Sequence, residues 1–315
     1  MNPVINYGDG IYAIDAMYIR PGLATIYLII QNGRAAIFDC GTNASIPQVL
    51  YALESLGVPA SGVEYVVPSH VHLDHAGGAG AMMEVFPNAR LVVHSRGARH
   101  MADPSRLMEG VRIVYGEAAA QALYGDLKPV SLSRIVEACD GMSLDLAGRI
   151  LTVLDTPGHA KHHLCLRDSR TEHIFAGDAF GVSFRELDVD GRASVFALTS
   201  PVQFDPQAIH ASIDNLLVRQ PGAIYLAHFG QVTDVRRLGG DLHRLVDAHC
   251  NVARKIHAGG KNERHSRLVD ALRELLVEER ARQGWQIADA ELFNIFSDEL
   301  DVNAQGLEVW LDSLS

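Results

Sequence analysis

The sequence is short of positive charge. Its 315 residues contain 27 Lys and Arg against 38 Asp and Glu, which gives a formal net charge of −11. Nucleic acids and anionic membranes bind proteins through large basic surfaces. The deficit therefore argues against a nucleic acid or a membrane as the main partner, and we expect the partner to be a small-molecule substrate.

Long apolar runs and paired cysteines are also missing. No segment reaches the roughly 18 consecutive apolar residues that a transmembrane helix needs, and the N-terminus lacks the basic start and apolar run of a secretory signal. The cysteines, Cys40, Cys139, Cys165 and Cys250, are widely spaced and form no CxxC pair. Such cysteines are typical of reduced thiols in a cytosolic protein, so we expect a cytoplasmic location.

Short apolar, β-branched runs alternate with glycine-punctuated turns and helical stretches over the first two-thirds of the chain, which predicts an α/β domain. Two of these runs, residues 24–30 and 35–38, flank Asn32-Gly33, the strongest short signal for a hairpin turn. Residues 100–130 are less regular and are interpreted as an insertion able to border a cleft.

The pattern changes near residue 235, after which no strand is predicted. Helical spacing then predicts helices over residues 238–257 and 266–283 and a shorter one over 288–300. We therefore divide the chain into an α/β domain, residues 1–235, and a helical C-terminal module, residues 236–315.

A histidine-rich loop follows the strand predicted at residues 63–67 and precedes a predicted helix. It carries His70, His72, Asp74 and His75. Side-chain direction repeats every two residues on an extended segment, so His70 and His72 can share one metal ion, while Asp74 and His75 can aim at a second. Imidazole and carboxylate ligands together suit zinc, iron or manganese rather than calcium or magnesium.

Three further potential ligands lie just past predicted strands and beside a glycine. His159 follows the strand at residues 149–154, Asp178 follows residues 174–176, and His228 follows residues 223–227. In α/β proteins, active sites gather on loops at the ends of strands. These residues are therefore candidates for the same metal site as the histidine-rich loop.

Taken together, the motifs His70-x-His72-x-Asp74-His75, Gly158-His159, Gly177-Asp178 and His228 resemble the complete ligand set of the metallo-β-lactamase superfamily over residues 10–230. The resemblance implies a four-layer αβ/βα sandwich, here with a C-terminal helical extension, and a two-metal groove at one edge of its sheets. It also implies the ligands of each ion: His70, His72 and His159 for one, Asp74, His75 and His228 for the other, and Asp178 as the bridge.

Within the superfamily, the bridging Asp178 and the helical tail make the chain similar to the glyoxalase II-like hydrolases. The function implied is that of a hydrolase with two divalent ions, zinc favoured and iron or manganese compatible. Two such ions lower the pKa of a shared water, so that a bridging hydroxide forms at neutral pH. We expect this hydroxide to attack an ester, a thioester, a lactone or a similar bond, with Asp74 as the catalytic residue that receives or orients the proton.

We also expect residues that orient the ligands, because a metal-bound histidine usually donates its other ring N–H to a carboxylate or carbonyl. Asp39 is one candidate, although it could instead only cap its own turn. His163 is another, although a polar residue at a strand start would look the same. His162 faces the opposite way from His163 in any strand, and we expect it to be exposed.

Two alternative functions stay open. Persulfide dioxygenases of this fold hold a single iron with equivalents of His70, His159 and Asp178. A signalling or effector protein acting through its helical tail is the other alternative, and the tail itself either covers the core or forms a homodimer. Lactonases of the fold typically carry a tyrosine where this chain has Gly181, which weakens the case for lactonase activity but does not exclude it.

Overall fold

The computed structural model describes residues 4–259 and 262–314. The chain folds into two compact units, each built from separate stretches of sequence. Of the described residues, the first unit contains 4–155, 162–177 and 222–231, and the second contains 156–161, 178–221, 232–259 and 262–314.

Within the described part of the chain, the strands form two sheets. The order in the first sheet follows the sequence; its strands are β1 (Ile5–Gly8), β2 (Ile11–Asp15), β3 (Thr25–Gln31), β4 (Arg34–Phe38), β5 (Val63–Val67), β6 (Arg90–His94) and β7 (Ile135–Ala138). Strands β1 to β4 pair antiparallel, and β4 to β7 pair parallel. The predicted hairpin turn joins β3 to β4, where Asn32 and Gly33 have φ of 49° and 73°, as the tight turn between twisted strands requires.

The second sheet is mostly antiparallel and places its strands in the order β13-β12-β11-β10-β9-β8. Its strands are β8 (Ser143–Leu146), β9 (Arg149–Asp155), β10 (Leu164–Asp168), β11 (Ile174–Gly177), β12 (Ile224–Leu226) and β13 (Gly230–Val232). A fully buried core fills the first unit with side chains from both sheets, among them Tyr27, Phe38, Phe175 and Tyr225. The phenol of Tyr27 donates a hydrogen bond to the carbonyl of Leu226, which links the two sheets at 2.6 Å.

The helices of the first unit lie in the segments that connect the strands of its first sheet. They are α1 (Ile46–Ser55), α2 (Leu73–Ala76), α3 (Ala79–Val85), α4 (Ser95–Ala102), α5 (Ser105–Tyr115) and α6 (Glu117–Tyr124). The interpretation of residues 100–130 as irregular is wrong, because α4, α5 and α6 occupy much of this range. Gly116 separates α5 from α6 with a φ of 81°, and Ile113 on α5 is 81% exposed, so the apolar periodicity that marks a helix is weak here.

The second unit is helical in the residues described. Its helices are α7 (Pro206–Leu217), α8 (Val235–His257), α9 (Arg264–Gln283), α10 (Asp289–Ile295) and α11 (Ser297–Ser313). The side chain of Asp205 accepts a hydrogen bond from the N–H of Ala208 at 3.1 Å and so caps α7. The single helix predicted over 288–300 is in fact two helices, which are separated at Phe296. The second, α11, continues to Ser313, and its buried face includes Leu307 and Trp310.

The tail packs against another stretch of its own unit, residues 193–199. The indole N–H of Trp285 donates to the hydroxyl of Ser194 at 2.8 Å. The side-chain oxygen of the buried Asn303 accepts from the backbone N–H of Thr199 at 2.7 Å, and its amide donates to the carbonyl of Ala197 at 3.0 Å. These bonds hold the tail in one position within the second unit.

Helices replace strands where the sequence predicts it: β13 ends at Val232 and α8 begins at Val235. The domain division at residue 235 itself stays a prediction. Among residues 4–259 and 262–314, we find no helix with the length and apolar character needed to cross a membrane.

Candidate metal centre

The histidine-rich loop lies between β5 and α2 in the first unit. His70 is fully buried, and its Nε2 lies 2.8 Å from Nδ1 of His72. Nδ1 of His70 lies 3.0 Å from the hydroxyl of Ser69. The two ring nitrogens of His70 and His72 therefore face each other, as expected for residues two apart on an extended segment.

Three of the predicted ligands come together where α2 meets the end of β12. Oδ2 of Asp74 lies 3.1 Å from Nε2 of His75 and 3.4 Å from Nε2 of His228. Both histidines are buried, while the Asp74 side chain is 21% exposed. Ligands of one transition-metal ion lie about 2.0–2.2 Å from it, so these separations suit a single shared ion.

The other nitrogen of each histidine in this set is held by an oxygen. Nδ1 of His75 lies 3.2 Å from Oδ2 of Asp39, and Nδ1 of His228 donates to the carbonyl of Leu23 at 2.8 Å. Each Nε2 is thereby directed at Asp74. This is the arrangement in which a histidine binds a metal through one nitrogen and is oriented through the other.

Asp39 lies directly after β4 and touches more than His75. Its Oδ1 accepts a hydrogen bond from the N–H of Ser69 at 2.7 Å, so one carboxylate contacts both ends of the histidine-rich loop. Its φ of 61° is unusual for a residue other than glycine. Strained backbone of this kind persists only where surrounding contacts enforce it, and it is concentrated at functional sites.

The electrostatics of the three-ligand set favour an ionised aspartate. Burial raises the pKa of Asp74, but the charges of His75 and His228 and their hydrogen bonds lower it by a larger amount. The pKa of Asp74 therefore lies well below the usual range. Asp74 is therefore a carboxylate at neutral pH, the form that binds a metal ion.

His163 is fully buried beside the loop, with its ring centroid 5.1 Å from that of His70. A Cβ at position 177 would collide with the side chains of Ser69 and His163. The glycine at the end of β11 is therefore required for this packing. His163 is placed where it can support His70, and its role stays a prediction.

The expectation that His162 is exposed is wrong. Its side chain is 7% exposed, and its ring centroid lies 6.3 Å from that of His70 and 6.1 Å from that of His72. The expectation depended on the alternation of a strand, but β10 begins only at Leu164. Outside the strand the alternation does not apply, so both His162 and His163 point inward.

The remaining two predicted ligands lie together in the second unit. Nε2 of His159 is 3.4 Å from Oδ2 of Asp178, and both side chains are buried. Gly158 before His159 has a φ of 131°, and a Cβ there would overlap the backbone of Ile209. Only glycine fits this close approach, and the turn positions His159.

Two contacts of the site have little or no signal in the sequence. The carbonyl of Leu23 belongs to an ordinary apolar residue, and it meets His228 across 205 positions of chain. Ser69 directly precedes His70, and that adjacency is its only signal. Backbone carbonyls cannot be found by motif, because every residue has one.

The family follows from sequence and fold together. The family model described as the metallo-beta-lactamase superfamily matches residues 19–266, and the chain belongs to this superfamily. The predicted fold class and the prediction of a metallo-hydrolase of this superfamily are confirmed.

The chain is similar to the metallo-beta-lactamase fold-containing protein ST1585 of Sulfurisphaera tokodaii. The two sequences are 25% identical over 229 residues, which cover 71% of this chain and 80% of that protein. The crystal structure of ST1585 superposes with a TM-score of 0.65 and 22% identity, covering 96% of this chain and 99% of that one. The structural likeness shows a shared fold.

Two relatives with named activities match shorter stretches. The acyl-coenzyme A thioesterase MBLAC2 of Gallus gallus is 29% identical over 191 residues, which cover 54% of this chain and 63% of that protein. The hydroxyacylglutathione hydrolase of Stenotrophomonas maltophilia is 27% identical over 152 residues, which cover 48% of this chain and 44% of that protein. The chain thus spans less than two thirds of each.

Proposed function

We propose that this protein is a dinuclear metal-dependent hydrolase that cleaves small-molecule thioesters. The observation that carries the proposal is the set of Asp74, His75 and His228, in which both histidines direct Nε2 at one carboxylate and are held from behind by oxygens. A surface cluster of polar residues has no reason to be buried and oriented in this way.

The donor set fits a transition-metal centre. We propose that the seven predicted ligands hold two ions, with zinc favoured and iron or manganese compatible. Bound there, such ions would make a nucleophilic hydroxide available at neutral pH and polarise the bond under attack.

The chain's own residues then have separate tasks. Asp74, ionised because of its histidine neighbours, is the residue placed to orient or accept the proton of the attacking water. Asp39 keeps the tautomer and direction of the His75 ring, and the Leu23 carbonyl does the same for His228. His163 supports the buried His70 from the side. No serine or cysteine nucleophile is required.

The choice of thioesters over other esters follows the two relatives with named activities. One is named an acyl-coenzyme A thioesterase and the other a hydroxyacylglutathione hydrolase, and both names describe the release of a thiol from an acyl group. The second also supports the predicted glyoxalase II-like branch.

The test uses protein loaded separately with zinc, iron or manganese. Release of thiol from butanoyl-coenzyme A and from S-lactoylglutathione is compared with hydrolysis of a matching oxygen ester and a lactone. We expect the thioesters to be preferred and His75→Gln to lower kcat/KM at least ~100-fold, the range found for catalytic groups. The exposed His257→Gln serves as the control and should leave activity unchanged.

Other results would overturn the proposal. Consumption of oxygen with glutathione persulfide, in place of thiol release from thioesters, would identify the iron-dependent sulfur dioxygenase. Retention of a single ion per chain at this centre after dialysis would contradict the dinuclear part. Absence of both activities with a full set of metals would favour the effector role of the tail.

A further inference from the structure

Two histidines of the second unit meet between helices α7 and α8, and the proposed hydrolase centre does not include them. His210 lies on α7 and His243 on α8, and each is followed four residues later by an aspartate, Asp214 and Asp247. Residues four apart lie on the same face of a helix. Both helices therefore present a His-x-x-x-Asp pair, and the two pairs face each other.

The four side chains form a crossed arrangement. Nδ1 of His210 lies 2.6 Å from Nδ1 of His243, and the planes of the two rings are nearly parallel, with an interplanar angle of 10°. Nε2 of His210 lies 3.2 Å from Asp247, while Nε2 of His243 lies 3.1 Å from Asp214. Each histidine thus contacts the aspartate of the other helix.

The hydrogen-bond partners indicate which ring nitrogen of each histidine donates. A carboxylate only accepts hydrogen bonds, so each Nε2 carries the proton that it donates to its aspartate. A neutral imidazole protonated at Nε2 has a lone pair at Nδ1. Two such lone pairs 2.6 Å apart repel each other, and a metal ion bound between the two rings would remove this repulsion.

We propose that His210 and His243 form a binding site for one divalent transition-metal ion, with Zn²⁺ or Ni²⁺ as the fitting class. Imidazole nitrogen suits these ions, and a histidine whose other nitrogen donates to a carboxylate is the usual form of a metal ligand. The negative charges of Asp214 and Asp247 offset the charge of the ion.

The exposure of the site allows the geometry to adjust. A tetrahedral zinc ion holds two nitrogens at about 2.05 Å each, and therefore about 3.3 Å apart. The rings must therefore move apart and turn until both Nδ1 lone pairs converge on the ion. The side chains of His210 and His243 are 28% and 27% exposed, which leaves room for this movement and for water as the remaining ligands. The bound ion ties α7 to α8.

The test compares zinc content and thermal stability of the full chain after equilibrium dialysis against Zn²⁺. The variant carries both His210→Ala and His243→Ala, and the control is His257→Ala, an exposed histidine on the same helix α8. We expect the unaltered protein and the control to hold one more zinc per chain than the double variant. Added Zn²⁺ or Ni²⁺ should raise their melting temperature by more than that of the double variant.

A second variant covers the case in which the alanine substitutions disturb folding. Asp214→Asn with Asp247→Asn keeps both rings and should weaken binding of this zinc at least ~10-fold, as loss of partners behind metal ligands does. Equal zinc content and equal thermal shifts in the unaltered protein, the control and both double variants would overturn the proposed site. Thioester hydrolysis is measured in parallel and should be unchanged, so failure of the hydrolase proposal remains a separate result.

Discussion

Oδ2 of Asp39 lies 3.2 Å from Nδ1 of His75, and Oδ1 of the same carboxylate accepts the N–H of Ser69 at 2.7 Å. One buried side chain therefore connects the two ends of the histidine-rich loop. It does so from a backbone conformation that few residues other than glycine adopt.

The first prediction concerns this contact. Asp39→Asn keeps the shape of the side chain but removes the charge that holds the His75 ring, so metal affinity should fall ~10–100-fold. Competition with a chelator measures this directly. Asp145→Asn is the control: the Asp145 side chain also accepts a hydrogen bond from a backbone N–H, that of Gly148 at 2.6 Å, but it contacts none of the proposed metal ligands in the hydrogen bonds described. Equal metal retention by both variants would show that Asp39 only shapes its own turn.

A second prediction concerns the docking of the tail. Gly306 of α11 approaches residue 199 so closely that a Cβ would overlap the carbonyl oxygen of Thr199. Gly306→Ala should therefore destabilise the second unit by about 1–3 kcal/mol, the usual cost of overpacking. Both tryptophans of the chain, Trp285 and Trp310, lie in the tail, so their fluorescence during urea unfolding measures the loss of stability.

Gly240 provides the matched control for this change. It lies inside α8, and nothing is within 4 Å of a Cβ built there. Gly240→Ala should stabilise the helix by up to about 1 kcal/mol, because alanine is the better helix former. If both glycine variants shift the unfolding midpoint in the same direction, the close approach of α11 is not what Gly306 provides.

Local patterns predicted the parts of the site that are local. The loop from His70 to His75 and the hairpin at Asn32-Gly33 could be read from spacing alone, because neighbouring residues share one backbone geometry. The inward direction of His162 could not, since it depends on where β10 begins. The contact of His228 with Leu23 depends on how distant segments pack, and no short-range pattern encodes it.

A third prediction concerns a buried ion pair at the edge of the second sheet. Arg149 and Asp168 are 3% and 0% exposed, and the guanidinium donates to both carboxylate oxygens, with Nε 2.7 Å from Oδ1. Arg149→Met leaves the carboxylate buried without its charge partner, which should cost about 3–5 kcal/mol. Combining Arg149→Met with Asp168→Leu should restore much of that loss. Chemical unfolding of the single and double variants measures it, and equal stability of the two would contradict the assignment.

The last prediction concerns His249, which is fully buried in α8. Its Nδ1 donates to the carbonyl of Leu245 at 2.7 Å, and its ring packs edge-on against Phe196 with centroids 5.2 Å apart. Burial lowers the pKa of His249 from 6.5 to about 4, although the hydrogen bond to Leu245 opposes the shift. The histidine is therefore neutral in the folded chain at neutral pH.

The sign of the effect on stability follows from linkage. Between pH 6.5 and 4 the unfolded chain binds a proton at His249 that the folded chain does not, so the free energy of unfolding falls as the pH falls through this window. At pH 5 this one group should cost about 2 kcal/mol relative to pH 8. His249→Leu removes the titration. Tryptophan-monitored unfolding at pH 8 and pH 5 should thus show a smaller loss in the variant than in the unaltered protein. Since acid also releases metal ions from histidines, both proteins are compared after chelation. Equal losses would mean that His249 is not the group that makes the tail sensitive to acid.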